Sequence, residues 1–168
     1  KNLLKTEEYE NGIESYLESK GIVDFTIEEK EKGSIPMTCF PFYELNTSSL
    51  LHIGTAGGWT KPSTGFTFMN TRRKIDSLLS FLKTKKPLDA FSFKNRFLFY
   101  DLLFIDVLTK YNHQGSNLFA RMFQKNHPVD VLRFIDEKSS FLKELKIFIS
   151  FSFKQQVWFI KAIGRRLF

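Results

Sequence analysis

The chain has 168 residues, 42% hydrophobic and 26% charged, which excludes a disordered polymer and fits one folded domain or a piece of a larger one. Its net charge of +7 is uneven: residues 1–33 carry 5 Lys and 9 Asp/Glu, net −4, and residues 34–168 carry 20 Lys/Arg and 9 Asp/Glu, net +11. A basic second half admits nucleic acid or an anionic membrane surface, but no RNP-like aromatic pair, GXXG loop or zinc-finger spacing supports nucleic acid. Cys39 is the only cysteine, so no intrachain disulfide forms and a reducing cytoplasm is expected; the thiol reads as an apolar side chain rather than a nucleophile. His52, His113 and His127 lack ligand spacing, so no metal site is expected. No run of 18 apolar residues exists; the most apolar window, Phe97 to Leu108, is interrupted by Asp101 and Asp106.

In chain order, Glu7 to Ser19 reads as a helix, with Thr6 as N-cap and Gly21 just past its end. Val23, Phe25 and Ile27 alternate with polar residues, the period of a half-buried strand, and Glu28 to Gly33 reads as a solvated hairpin tip. Ser34 to Phe42 (SIPMTCFPF) reads as an edge or bulged strand, because Pro36 and Pro41 each remove a ladder donor. Leu50 to Ile53 is a short strand running into Gly54–Thr55–Ala56–Gly57–Gly58. Phe68 to Leu82 is a helix with Ile75, Leu78, Leu79 and Leu82 on one side and Arg72, Arg73 and Lys74 on the other. Helices follow at about 91–111, 115–126, 128–136, 139–150 and 153–166, with Pro128 placed as the first residue of one of them. Asp106 and Lys110 lie four apart and can pair on the surface, whereas Asp101 has no partner at helical spacing. It sits at the rim of the apolar face or is bound to something, and the rim is the simpler reading. The expected fold class is α+β: a few antiparallel strands, a strand–loop–helix unit and a helical C-terminal bundle.

Fourteen of the 20 Phe residues lie between Phe91 and Phe168. Most must be core, and about a quarter are expected to line an apolar tunnel or face lipid. The last helix, from Phe153, mixes Val157, Trp158, Ile160 and Leu167 with Lys154, Lys161, Arg165 and Arg166, and is expected to rest on a membrane surface.

The glycine-rich stretch raises the question of a ligand. Glycine permits positive φ and close backbone approach, and the helix that follows offers unpaired N–H groups to something anionic. Neither GxxxxGK[ST] nor G-x-G-x-x-G occurs anywhere in the chain, so a pyrophosphate loop of the usual kind is not here. A plain loop is the competing reading.

Ser34-Ile35-Pro36-Met37, then Gly54-Thr55-Ala56-Gly57-Gly58, then Pro62-Ser63-Thr64-Gly65-Phe66 resemble the corresponding elements of the flavoprotein lycopene cyclases. Phe97 to Leu108 and His127 to Phe134 resemble that family's helical C-terminal region more weakly. The resemblance implies the C-terminal part of a FAD-dependent two-domain flavoprotein of the glutathione-reductase/hydroxylase type. Residues 1–53 would belong to a substrate-domain sheet with one helix, 54–83 would complete the FAD site, and 84–168 would form the helical region. It implies cyclisation of the ends of lycopene and related linear carotenoids to β-ionone rings, a non-redox isomerisation that needs reduced flavin, with NAD(P)H as reductant. Gly54, Thr55 and Ala56 would approach the pyrophosphate and ribityl chain, with Gly57 and Gly58 in the same loop. Pro62, Ser63, Thr64, Gly65 and Phe66 would aim a helix end at the flavin ring, and Ile35, Pro36, Met37 and Trp59 would face substrate. Thr55 stands where related hydroxylases have Asp, which weakens that contact. The catalytic acid would lie before Lys1, so a fragment inactive on its own is expected, peripheral at the inner face of the cytoplasmic membrane. A related flavoprotein reductase or monooxygenase on an apolar isoprenoid, and a non-catalytic basic membrane-binding helical module, are the competing readings.

Overall fold

The computed structural model describes residues 4–92 and 95–167, and the chain divides into two compact units, Lys1–Ser34 and Ile35–Phe168. In the first unit, α1 (Thr6–Ser19) starts one residue earlier than expected, with Lys5 and not Thr6 as its cap: the Glu8 carboxylate turns back to accept the Lys5 N–H at 2.6 Å. It ends at Gly21 (φ +74°), where the Gly21 N–H donates to the Glu18 carbonyl and the Ile22 N–H to the Leu17 carbonyl. The left-handed glycine satisfies carbonyls the helix leaves over. Of the Ile13, Tyr16 and Leu17 side of α1, Ile13 and Tyr16 are exposed and Leu17 is half-buried.

The second unit carries α2 (Phe68–Leu82), α3 (Arg96–Tyr111), α4 (Gly115–Lys125), α5 (Pro128–Ile135), α6 (Phe141–Ser150) and α7 (Phe153–Leu167). Starts are set by local chemistry. The Asn95 side chain accepts the Phe97 and Leu98 N–H groups and fixes the start of α3, later than the sequence pattern suggested. His127 Nδ1 accepts the Val129 N–H, with Pro128 behind it as the first helical residue.

The α+β expectation is wrong: among the described residues there is no strand and no sheet. Alternation makes a segment extended, but a strand exists only when a neighbour takes its N–H and C=O groups. Val23, Phe25 and Ile27 stay exposed with no ladder, so residues 28–33 close no hairpin. Pro36 and Pro41 strip donors from the next segment, which ends in a 3-10 turn at Phe42–Leu45. Residues 50–53 are held by loop chemistry instead: the Thr47 N–H donates to the Leu50 carbonyl, and the His52 N–H to Asn46 Oδ1.

Helix α2 keeps its expected bounds, but its apolar side is not a buried face: Ile75, Leu79 and Leu82 are exposed and only Leu78 is half-buried, while Asn70 is buried, Arg73 and Lys74 are half-buried and Arg72 is exposed. The core lies in α3 to α7. Phe104 of α3 is its centre, with rings of Phe159 at 4.9 Å, Phe119 at 6.0 Å and Phe151 at 6.2 Å. Phe97, Leu103 and Val107 of α3 share it with Leu118, Met122, Val131, Phe134, Ile147, Trp158 and Ala162. At one end, Tyr111, the last residue of α3, stacks on Trp158 of α7 with centroids 4.2 Å apart and planes at 15°. Within the core a carboxylate is buried too. Glu144 of α6 accepts Arg96 Nε and Nη2, Tyr100 Oη and Ser139 Oγ at 2.7 to 3.2 Å. Asp106 pairs with Arg166 of α7 at 2.7 Å, not with Lys110. Among the described residues no helix is long and apolar enough to cross a membrane.

Candidate functional site

The glycine-rich stretch folds as one 3-10 turn, Gly54–Gly57, closed by the Trp59 N–H donating to the Gly54 carbonyl at 2.9 Å. Gly54 (φ +59°) and Gly58 (φ +66°) are both left-handed, which explains glycine at the two ends. Gly57 is glycine for a different reason. A Cβ there would stand 2.2 Å from the His52 carbonyl oxygen, a backbone atom that cannot rotate away. At Gly58 a Cβ would meet the Phe42 ring at 2.9 Å, whereas at Gly54 it would meet nothing within 4 Å. Two of these close approaches are therefore made by the chain to itself, and Gly54, with the exposed Thr55 and Ala56, is the part of the turn left open.

The next turn folds back on itself. The Lys61 N–H donates to the Phe66 carbonyl and the Gly65 N–H to the Lys61 carbonyl, both at 2.8 Å. Thr67 Oγ1 lies 3.1 Å from the Gly65 carbonyl and 3.0 Å from Thr60 Oγ1, which in turn contacts Thr55 Oγ1 at 3.2 Å. Gly65 is left-handed (φ +72°), and a Cβ on it would touch Ile35 Cγ2 at 3.6 Å and Met37 Sδ at 4.0 Å. Ile35 and Met37, far away in sequence, therefore lie against the Pro62–Phe66 turn, while remaining largely exposed.

Under the turn is a buried ionic cluster. Lys61 Nζ lies 2.9 Å from Asp101 Oδ2, with both side chains 2% exposed, and 3.7 Å from Glu137 Oε1. Ser63 Oγ donates to Asp101 Oδ1, and the ammonium lies 5.8 Å above the Phe97 ring. So Asp101 is not at the rim. It is buried in the cluster and ties the loop to α3. Burial pushes its carboxyl above the usual range, and the Lys61 charge and the Ser63 hydrogen bond offset only part of that. Sequence spacing gave no means to pair residues forty positions apart; the one sign was an acid stranded among Leu102, Leu103 and Phe104.

Beside this cluster opens a cavity of about 280 Å³, lined in part by Pro36, Cys39, Thr55, Trp59, Pro62 and Lys74. Trp59 is buried in its wall, and Lys74 Nζ reaches the Gly58 carbonyl at 3.3 Å. Burial lowers the Lys74 pKa and pushes the Cys39 thiol up to about 12, so Cys39 is no ready nucleophile. Thr64, Gly65 and Phe66 instead face a second groove, with Met69 of α2 and Leu132, Ile135 and Asp136 on the α5 side. The structure thus brings Pro36, Thr55, Gly57, Gly58, Trp59 and Pro62 to one cavity and sends the rest of the Pro62–Phe66 turn to another face. Ser63 points into the ionic cluster. Thr60, Lys61, Asn70, Lys74, Asp101 and Glu137 are wall residues that sequence reasoning did not assign.

Over residues 1–159 the chain matches the protein family described as lycopene cyclase protein. The chain belongs to the lycopene cyclase family. No curated protein and no solved structure matches it. Lycopene cyclases generally depend on flavin. The residues present fit part of such a group: hydroxyls of Thr55 and Thr60, the Asn70 amide, the Lys74 ammonium and the Trp59 ring surround a space suited to one ring system or a ribityl-sized segment. The cavity is smaller than whole-ligand sites, which start at roughly 300 Å³.

Proposed function

We propose that this chain forms one wall of the flavin and substrate site of a cyclase that closes the ends of lycopene, or a related linear carotenoid, to β-ionone rings. The observation that carries the reading is Ile35 and Met37 lying against Gly65, which joins two of the three matching motifs in space. The reaction adds a proton to a terminal double bond, closes the ring on the carbocation and returns a neighbouring proton, so no net redox change occurs. A bound reduced flavin, FAD with NAD(P)H as reductant, would supply an electron-rich ring that stabilises positive charge, held in part by Thr55, Thr60, Asn70, Lys74 and Trp59. The chain's own part is positional. Trp59, Pro36 and the cavity hydroxyls orient and exclude water, the open Gly54–Ala56 edge admits the cofactor's chain, and Lys61 with Asp101 holds the Pro62–Phe66 turn against α3. The catalytic acid and the G-x-G-x-x-G grip are contributed from outside these residues.

Pigment analysis in lycopene-accumulating cells tests this. Cells expressing the chain alone retain lycopene, and cells expressing it joined to a dinucleotide-binding half of a cyclase make β-carotene. In the joined protein, Gly65→Asp lowers flavin content, because it strains a left-handed position and drives a carboxylate against Ile35 and Met37, displacing the turn that Lys61 and Ser63 tie to the cavity. β-Carotene from the chain alone overturns the division of labour, and a joined, flavin-loaded protein that leaves lycopene unchanged overturns the cyclase reading.

A further inference from the structure

Helix α5 closes on a residue that its backbone disfavours. The Glu137 N–H donates to the Phe134 carbonyl at 3.1 Å and the Lys138 N–H to the Arg133 carbonyl at 2.8 Å, the pair of bonds that ends a helix through a left-handed residue. Glycine usually takes that position, because a Cβ crowds the backbone there. Here it is a glutamate with φ +59°. Among the described residues only Lys85 shares a positive φ without being glycine, and Lys85 is exposed. Glu137 instead lines the cavity, with its side chain 16% exposed. A disfavoured backbone at a cavity wall is where a fold gives up stability for a side chain it needs.

The carboxylate is held from two sides. The Asn95 amide donates to Glu137 Oε2 at 2.8 Å. The direction of that amide is fixed, because Asn95 Oδ1 accepts the Phe97 and Leu98 N–H groups that start α3. Oε1 lies 3.7 Å from Lys61 Nζ, an ion pair longer than a hydrogen bond. The other acidic groups of the cavity are differently placed. Asp101 gives one oxygen to Lys61 and the other to Ser63, Glu44 is exposed, and the Cys39 thiol, pushed up to about 12, keeps its proton. Glu137 is thus the buried-wall carboxylate with one oxygen oriented by a helix cap and the other held only by charge. It shares the cavity with Pro36 and Trp59, the residues that the motif resemblance turns toward substrate.

Ring closure leaves one step without an agent. An acid from outside these residues adds the first proton, and the ring cation must then lose one. We propose that Glu137 is the base for that loss, an assignment that rests on the cyclase reading. The C–H bond beside the cationic carbon breaks, its electron pair becomes the ring double bond, and the proton passes to Glu137 Oε1, with no electron gained or lost. Before the transfer, the negative charge of the carboxylate favours the cation it will quench.

The joined protein tests this. Glu137→Gln keeps flavin content and the KM for lycopene and lowers kcat roughly a hundredfold. Glu137→Gly loses as much turnover yet melts about 2–4 °C higher, since glycine relieves the left-handed strain and Lys61 keeps Asp101 at 2.9 Å. Formate, a carboxylate small enough for the space that the missing side chain leaves, restores part of the turnover of Glu137→Gly and none of that of Glu137→Gln. A lower melting temperature for Glu137→Gly makes the carboxylate a prop for Lys61 and overturns the inference. Turnover that ignores Glu137→Gln, or a Glu137→Gly variant unmoved by formate, overturns it alone when the wild type makes β-carotene. A wild type that leaves lycopene unchanged overturns the cyclase reading beneath it.

Discussion

Asp101 of α3 and Glu144 of α6 are both buried carboxylates, and the protein treats them in opposite ways. Glu144 receives four side-chain groups' worth of hydrogen bonds, from Arg96 twice, Tyr100 and Ser139, and its cationic partner is 51% exposed. Burial pushes its carboxyl up, but those bonds outweigh burial and hold it below the usual range. Asp101 has Lys61 and Ser63, and its cationic partner is as buried as it is. There burial wins and the carboxyl is raised. A bundle carboxylate that is fully saturated is structural cement, whereas one that is under-saturated beside a cavity keeps a charge balance sensitive to whatever enters.

That comparison breaks or sharpens in four measurements. The largest effect is expected for Asp101→Ala, which takes the nearer carboxylate from buried Lys61 and leaves it only Glu137 at 3.7 Å; about 3–5 kcal/mol of stability is lost in urea unfolding. Lys61→Met combined with Asp101→Leu restores most of it, because removing both charges removes the desolvation penalty as well. If the double variant is no better than Asp101→Ala, the loss is one of packing and not of charge. Glu144→Gln has a smaller cost, since the half-exposed Arg96 can return to solvent.

The pH dependences have opposite sign. For Glu144, the folded state holds the carboxylate below its ordinary 4.5, so its contribution is present above that value and is lost as pH falls through the lowered one. For Asp101, the folded value is raised above 3.8, so its contribution is full below 3.8 and is lost as pH rises through the raised value. Stability curves from pH 3 upward, followed by circular dichroism at about one-unit steps, show the difference directly: Glu144→Gln flattens the acid limb, and Asp101→Asn flattens a decline on the rising side. Identical slopes in both variants would erase the distinction. The smallest effect belongs to Asp106→Asn, which cuts a pair whose members are 18% and 41% exposed; less than about 1 kcal/mol is expected.

What the sequence showed and hid follows the range of the forces involved. Helices were legible because their signals are local: Pro128 behind His127, Gly21 after Ser19, a 3.6-residue apolar period through α4 to α7. Strands were not, because Val23, Phe25 and Ile27 state a period and cannot state a partner. For α2 the period gave the helix correctly and its inner face only in part: Leu78 is half-buried, but the cavity beside it takes Asn70 and Lys74 and leaves Ile75 exposed. The glycines were legible as constrained, but whether the constraint came from a ligand or from the His52 carbonyl is a question about distance. The Lys61–Asp101 pair was hidden for the same reason: two lone charges forty residues apart meet only in the folded chain.

The chain has two indoles, and the stack of Trp158 on Tyr111 makes one of them an optical strain gauge. Rings 4.2 Å apart and nearly parallel couple their transitions, so near-ultraviolet ellipticity rises or fades with the docking of the end of α3 on α7. Trp59 sits in the cavity wall, so Trp59→Phe leaves emission that speaks for the bundle alone, and subtracting it leaves a spectrum of the loop. A flavin drawn into the cavity would quench the second signal by energy transfer at short range while leaving the ellipticity of the first, so occupancy and folding could be followed in one cuvette.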